Sequence, residues 1–284
     1  MQLTQPIILS YVQADSLFKA KQQRITSAQI SPDLGLSTVM VTLTSEGVAF
    51  PNGEHIDWHS IEKISKSEVN CFILEENAVR PVQVFSTYTN RVCSLMPTRG
   101  APSMLIAGFV MHRIKDIDPM QDAVRKIAAI SPIVGRVLDT ATGLGYTAIE
   151  AAKTADEVVT IELDLGVQEI AQLNPWSQAL FHSPKICQIM GDAYEVVQTF
   201  KDGSFARVIH DPPTFSLAGE LYSGAFYRQL FRVLKRGGRL YHYIGDPNSK
   251  ASGGVTKGAL KRLQEAGFAR VVRKQDAYGV VAYK

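Results

Sequence analysis

The sequence has little that would place it in a membrane, a secreted scaffold or a metal centre. Only three of its 284 residues are cysteines, Cys71, Cys93 and Cys187, far apart and without a CxxC pair. That spacing excludes a disulfide framework and a thiolate metal site, and it fits a reducing, cytoplasmic setting. No apolar run approaches the roughly 18 residues of a membrane span. The longest candidate runs only from Ser103 to Met111. The start, Met1-Gln-Leu-Thr-Gln, lacks the basic stretch of a signal peptide. Internal repeats and low-complexity tracts are also missing.

What is present is an ordinary globular balance, 45% hydrophobic and 20% charged, in a chain long enough for one or two domains. The net charge of +3 is unevenly spread. Residues 1–110 carry 8 Lys/Arg against 9 Asp/Glu, residues 111–234 carry 11 against 15, and residues 235–284 carry 11 against 3. Lys250, Lys257, Lys261 and Arg262 therefore form a basic flank, which reads either as a solvated helix face or as a surface for an anionic partner such as RNA.

Residues 1–110 predict a small β-rich accessory domain. Strands are expected at 37–44, 48–50, 70–74, 81–85 and 91–95, preceded by a helix over about 14–24. This part is not basic, and it leaves open a substrate-selecting role or homodimerisation. The boundary falls near 110–118. Asp118, Pro119 and Gln121 then carry the signals of a helix start, and that helix runs to about Ile130. Met111-His112-Arg113 stands just before it, where the polar pair either reaches a ligand or satisfies backbone carbonyls.

From Gly135 onward strands and helices alternate. The pattern predicts strands at 136–139, 157–161, 185–190, 206–210 and 239–244. Helices fall between them, and a turn is expected at Lys235-Arg-Gly-Gly238. The last two strands, 269–273 and 279–283, are joined by a turn too short for a parallel crossover, so they pair antiparallel. The fold class is α/β: a Rossmann-like, seven-stranded, mostly parallel sheet with a terminal antiparallel hairpin over residues 111–284.

The first βα unit, Arg136-Val-Leu-Asp-Thr-Ala-Thr-Gly-Leu-Gly-Tyr-Thr-Ala148, organises this half. Gly143 and Gly145 permit positive φ and close ligand approach, and the following helix offers its N-terminal N–H groups. Ligands in such sheets bind at the carboxyl ends of strands. Four carboxylates stand there in consecutive units: Asp139, Glu162, Asp192 and Asp211. Any one of them reads as a helix cap, whereas four in succession point to a ligand. Asp139 suits a cationic amino group. Glu162, 19 residues after Gly143, suits a ribose hydroxyl pair. Asp192 can accept from an exocyclic amine. In Asp211-Pro-Pro-Thr-Phe215 the prolines stiffen the turn and remove donors. The Asp211 carboxylate and a prolyl carbonyl then stand free to accept from an amine, and Phe215 can stack on a flat ring.

With Val137-Leu-Asp139, Gly143, Gly145, Glu162, Gly191-Asp192-Ala193, Asp211-Pro-Pro-Thr-Phe215 and Leu234-Lys-Arg-Gly-Gly238, the chain resembles the class I S-adenosyl-L-methionine (SAM)-dependent methyltransferases. Met111-His-Arg, Asn174-Pro-Trp-Ser177 and Leu221-Tyr-Ser with Phe226-Tyr227 resemble a mainly archaeal group of predicted methyltransferases. The resemblance implies SAM as cofactor, held by Asp139, Thr140, Gly143, Gly145, Glu162, Leu163, Asp192 and Ala193. It places Asp211, Pro212 and Phe215, with His112, on the acceptor side, and implies no metal. The family's first glycine is here Ala141, which must turn without positive φ. The Asp-Pro-Pro motif implies transfer to a nitrogen, and the acceptor is a small amine, a protein or RNA. His210 and His242 read as core residues or as general bases. No cysteine lies near the turn for a pyrimidine adduct. Rival readings are a dinucleotide oxidoreductase, an aminopropyltransferase of the spermidine-synthase kind using decarboxylated SAM, and a non-catalytic SAM- or RNA-binding module.

Overall fold

The structure is a computed structural model that describes residues 6–215, 218–245 and 252–284, with side chains from 257 in the last stretch. Lys250 of the basic flank lies outside the described residues. The chain divides into two compact units, Met1–Pro119 with Gly166–Gln178, and Met120–Leu165 with Ala179–Lys284.

The first unit contains three small antiparallel sheets and two N-terminal helices, Tyr11–Gln22 and Trp58–Ser65. The first helix starts earlier than its apolar pattern suggests, because Ser10 and Gln13 form a reciprocal capping box. The second was not expected from the sequence. It begins at Asp57, whose carboxylate accepts from the Ser60 N–H at 2.8 Å. Ile7, Leu17, Val41, Val48, Ile56 and Ile61 build the core of this unit. The segment Asn174-Pro-Trp-Ser177 also belongs to it, and the Trp176 indole N–H donates to the Leu34 carbonyl at 3.1 Å.

The second unit is a seven-stranded sheet. Its strands are β1 (Arg136–Asp139), β2 (Glu157–Glu162), β3 (Ile186–Met190), β4 (Phe205–His210), β5 (Leu234–Tyr243), β6 (Arg270–Lys274) and β7 (Gly279–Tyr283). They lie in the order β3-β2-β1-β4-β5-β7-β6. The first five are parallel, and β7 pairs antiparallel with both β5 and β6. β4, Phe205–His210, is buried at every position, Arg207 and His210 included, as a strand in a sheet covered on both faces requires. The helices are α1 (Pro119–Ala129), α2 (Tyr146–Ala152), α3 (Leu165–Leu173), which after its first residue belongs to the first unit, α4 (Gln178–His182), α5 (Ala193–Thr199), α6 (Gly224–Val233) and α7 (Ser252–Glu265). On α6, Phe226, Tyr227, Leu230 and Val233 recur every three or four residues and are all fully buried, with Leu138, Val208 and Leu240 of the sheet in the same core.

One expected feature is corrected. Lys235-Arg-Gly-Gly238 is not a turn between a helix and a strand. It bulges out of one strand, β5: the register passes from Phe205 opposite Leu234 to Arg207 opposite Arg239. Gly237 sits at φ +73° and donates its N–H to the Lys284 carbonyl at 2.9 Å. A Gly-Gly pair serves a bulge as readily as a turn.

Leu230→Ala, which opens a cavity at the centre of the α6 contact, should cost about 2–5 kcal/mol of stability. Urea unfolding of the two proteins measures this, and an unchanged midpoint would contradict the assigned packing.

Candidate active site

The sheet order reverses at β1 and β4, so the ends of these strands define a crevice. Asp139 pairs in register with Ile209, which places Asp139 and Asp211 at neighbouring strand ends. Asp139 is completely buried. Its Oδ2 accepts from the Thr147 hydroxyl at 2.9 Å, and its Oδ1 is buried with no hydrogen-bond partner. Burial pushes its carboxyl up to about 7 against the Thr147 hydrogen bond, and the neighbouring Asp211 charge adds to the rise.

The glycine loop is tied down at short intervals. The Thr140 N–H donates to the Ile209 carbonyl, and the Thr142 N–H to the Ile161 carbonyl. The Gly143 N–H donates to Glu162 Oε2 at 2.9 Å, and the Gly145 N–H to the Thr142 carbonyl at 2.8 Å. Gly143 and Gly145 both have positive φ, +54° and +77°. At Gly143 an added Cβ would meet open space, so that backbone is approachable. At Gly145 it would lie 2.7 Å from Leu180. Ala141 makes its turn without positive φ.

Glu162 Oε1 also accepts from the N–H groups of Leu163 and Asp164, both at 3.0 Å. Three backbone donors therefore aim this carboxylate and leave it lone-pair capacity for a ligand. Asp192 does what an acid after a strand commonly does: it caps α5, accepting from the Tyr194 N–H at 2.8 Å. Ala193, the next residue, opens that helix and is buried. Leu163 and Met190 are exposed apolar residues at the ends of paired strands, since Glu162 pairs with Met190 in register. They offer a rim for a flat ring. Met190 was not anticipated, and its signal is its place just before Gly191-Asp192.

The acceptor side differs from expectation in one respect. Only part of Asp211 stands free, because its Oδ2 accepts from the Lys126 ammonium at 2.6 Å. The same ammonium lies 2.9 Å from Asp122 Oδ2, one turn back on α1, and 4.9 Å from the centre of the Tyr243 ring. Burial opposes the Lys126 charge, but Asp211 and Asp122 outweigh it and hold the lysine protonated above its ordinary range. Pro213 is also engaged, since its carbonyl accepts from the Tyr222 hydroxyl at 2.9 Å. Phe215 is exposed and meets Tyr222 edge-on at 5.6 Å.

His210 and His242 are not bases facing a substrate. Both are fully buried, with ring centres 4.4 Å apart. A carbonyl can only accept, so His210 donates from Nε2 to Leu221 and receives the Thr140 hydroxyl proton at Nδ1, at 2.9 and 2.7 Å. His242 likewise donates from Nδ1 to the His210 carbonyl and accepts from the Tyr227 hydroxyl at Nε2. Burial holds His210 well below its usual value and His242 at about 4, so both are neutral. His112 lies in the first unit, where its Nδ1 is 3.1 Å from the Ser103 hydroxyl. Among the described residues no His/Cys/Asp/Glu cluster could hold a metal, and no helix is long and apolar enough to cross a membrane.

Comparison with known structures bears on the fold first. The chain aligns with a spermidine synthase solved with the transition-state analogue AdoDATO (TM-score 0.59, 19% identity, 72% of this chain and 75% of that one). It aligns similarly with spermidine synthase from Thermotoga maritima (TM-score 0.55, 19% identity, 72% and 73%). At that identity the likeness concerns the fold, which is α/β with a large, mostly parallel central sheet. No family model matches the chain. It belongs to the same family as the uncharacterized protein MJ1233 of Methanocaldococcus jannaschii, to which it is 39% identical over 284 residues, 99% of this chain and 96% of that protein.

The buried Asp139 gives a direct test. Between about pH 4 and 7 the unfolded chain has released this proton and the native chain has kept it, so stability falls as pH rises and levels off above 7. Asp139→Asn removes that cost. Without ligand, the variant should match the parent near pH 4 and exceed it by about 2–4 kcal/mol above pH 7. Denaturation across pH checks it; the two buried histidines titrate in both proteins and cancel in the difference.

Proposed function

We propose that the protein is a SAM-dependent N-methyltransferase. The observation that carries this reading is Asp139, a fully buried carboxylate with one unpartnered oxygen at the switch point of the sheet. An isolated buried charge is costly, and a ligand ammonium seated on Oδ1 would remove the cost. The remaining residues fit the same ligand. Glu162 would receive the ribose hydroxyls, and Leu163 and Met190 would flank the adenine. Asp192, with one oxygen already on the helix, and the Ala193 N–H would meet its polar edge.

When bound, SAM supplies an electrophilic methyl carbon on a sulfonium. The chain's part is positioning. Asp211 Oδ1 and the Pro212 carbonyl accept N–H bonds from the acceptor amine and turn its lone pair toward that carbon. The stiff Pro212-Pro213 backbone, tied by Tyr222, keeps the two acceptors in place, and Phe215 offers a face to a planar acceptor. Neutral His210 and His242 hold the strand ends from beneath.

A second reading, aminopropyl transfer from decarboxylated SAM, is favoured by one observation. The amides of Thr140, Thr142, Gly143 and Gly145 are all used internally, which leaves the loop few donors for a carboxylate. The spermidine synthase fold is in keeping with it. The acceptor under either reading is a small amine, a protein or RNA, and pairing of two copies through the first unit is part of the proposal.

Calorimetry with SAM, decarboxylated SAM and NADH separates these readings. SAM should bind more tightly as pH is raised from 5 to 7 and Asp139 ionises. Glu162→Ala should weaken it by about 1.5–3 kcal/mol. Preference for the decarboxylated ligand would move the assignment to aminopropyl transfer, and binding of NADH alone would end both. A screen with radiolabelled SAM then supplies an acceptor. With it, Asp211→Ala should lower kcat on the order of 10²-fold while leaving SAM affinity within a few-fold. Methylation at the parental rate would make the Asp-Pro-Pro turn merely structural.

A further inference from the structure

Lys126 has no place in the functional reading so far, yet among the described residues it is the one lysine that is buried. It is 4% exposed on a helix whose partner face is apolar, and it faces two carboxylates, Asp122 at 2.9 Å and Asp211 at 2.6 Å. Burying a lysine is expensive, and an ion pair in a protein interior is weak evidence for stability. Asp122 is 1% exposed and Asp211 remains partly open, so the row runs from the interior outward to the proposed acceptor.

We propose that Lys126 is a positioning residue. Held by Asp122, it pins Asp211 through Oδ2 and leaves Oδ1 as the single oxygen offered to the acceptor amine. Three features support this. The Lys126–Asp211 contact spans 85 residues of sequence and fastens the Asp-Pro-Pro turn to α1. The turn has a second tie, from Tyr222 to Pro213, so its backbone does not need Lys126 to hold shape. Among the described residues Asp139 from β1 and the Tyr222 hydroxyl also feel the Asp211 charge, and neither is a cation that could replace the ammonium. One occupied oxygen also narrows the chemistry. The carboxylate can take one N–H of an amine but cannot grip an amidinium or guanidinium with both oxygens, so the site selects a single amine nitrogen.

The proposal rests on the reading of the site as one for an adenosyl nucleoside, and it can be tested before any acceptor is known. S-adenosylhomocysteine lacks a group toward Asp211, whereas sinefungin carries an amine where the methyl would stand. The ratio of their dissociation constants, measured by calorimetry at pH 7, isolates the contact with Asp211. In the parent protein sinefungin should bind at least about tenfold tighter, as a charge-assisted hydrogen bond requires. Lys126→Met should abolish most of that advantage without changing S-adenosylhomocysteine affinity, and Lys126→Arg should restore part of it. The double variant Asp122→Asn/Lys126→Met removes a buried carboxylate together with the ammonium. It guards against a folding defect and should show the same loss. An undiminished advantage in either Met variant overturns the positioning role. If neither nucleoside binds the parent, the cofactor reading itself fails, which is a different result.

Discussion

Everything in the second unit turns on a carboxylate that water cannot reach. Asp139 ends the central strand, with strands on either side, and the hydrogen bonds it receives, from the Thr147 hydroxyl first and then from the Ala141 amide and the Thr160 side chain, do not offset its burial. Desolvation there works against the charged form, so the apo protein carries an electrostatic debt that a cation of the right shape removes. The neighbouring Asp211 sharpens the demand, and Lys126 limits it. The site is thus prepared before any ligand arrives: Asp139 holds a proton up to about pH 7 that a cation of the right shape would displace, and the Asp211 charge is balanced by Lys126.

The two buried histidines show how the same physics gives an opposite outcome. They are as deeply buried as Asp139, but every ring nitrogen has a partner and the neutral form costs nothing. Burial with satisfied hydrogen bonds makes a scaffold, and burial with an atom left over makes a binding site. Residue type alone does not separate the two cases, because histidine is the commoner base.

Much of the second unit was legible because parallel strands covered on both faces read as unbroken apolar runs, and because their ends carry acids. Val137-Leu138-Asp139 and the glycines after it needed no structure to be found. The Lys235–Gly238 bulge was missed because consecutive glycines signal equally a turn and an irregular strand. Asp122 and Lys126 were missed for another reason. Their i,i+4 spacing on α1 reads as a surface pair, and only the fold shows that Ala123, Ile127 and Ile130 share their burial, and that Asp211 arrives from 85 residues away. Asp192 shows the limit of counting acids: four stood in register, and one of them also caps a helix. In the first unit the Trp58–Ser65 helix was missed although its signal is present: Asp57 caps it and Trp58, Ile61 and Ile64 recur every three residues, but over little more than two turns next to strand and turn signals.

The two sides of the crevice are fastened by different means. The loop after β1 is held mostly by main-chain amides bonded to backbone carbonyls, with the Glu162 carboxylate on Gly143 as its side-chain tie, so side-chain exchange there has less to work on. The turn at Asp211 hangs on side chains, Lys126 and Tyr222, each of which a single codon can replace. On the proposed reading, a descendant of this protein could change what it acts on without relearning how to bind the nucleoside, and within one family differences in acceptor should be written on α1 and the Asp-Pro-Pro turn rather than around the glycines.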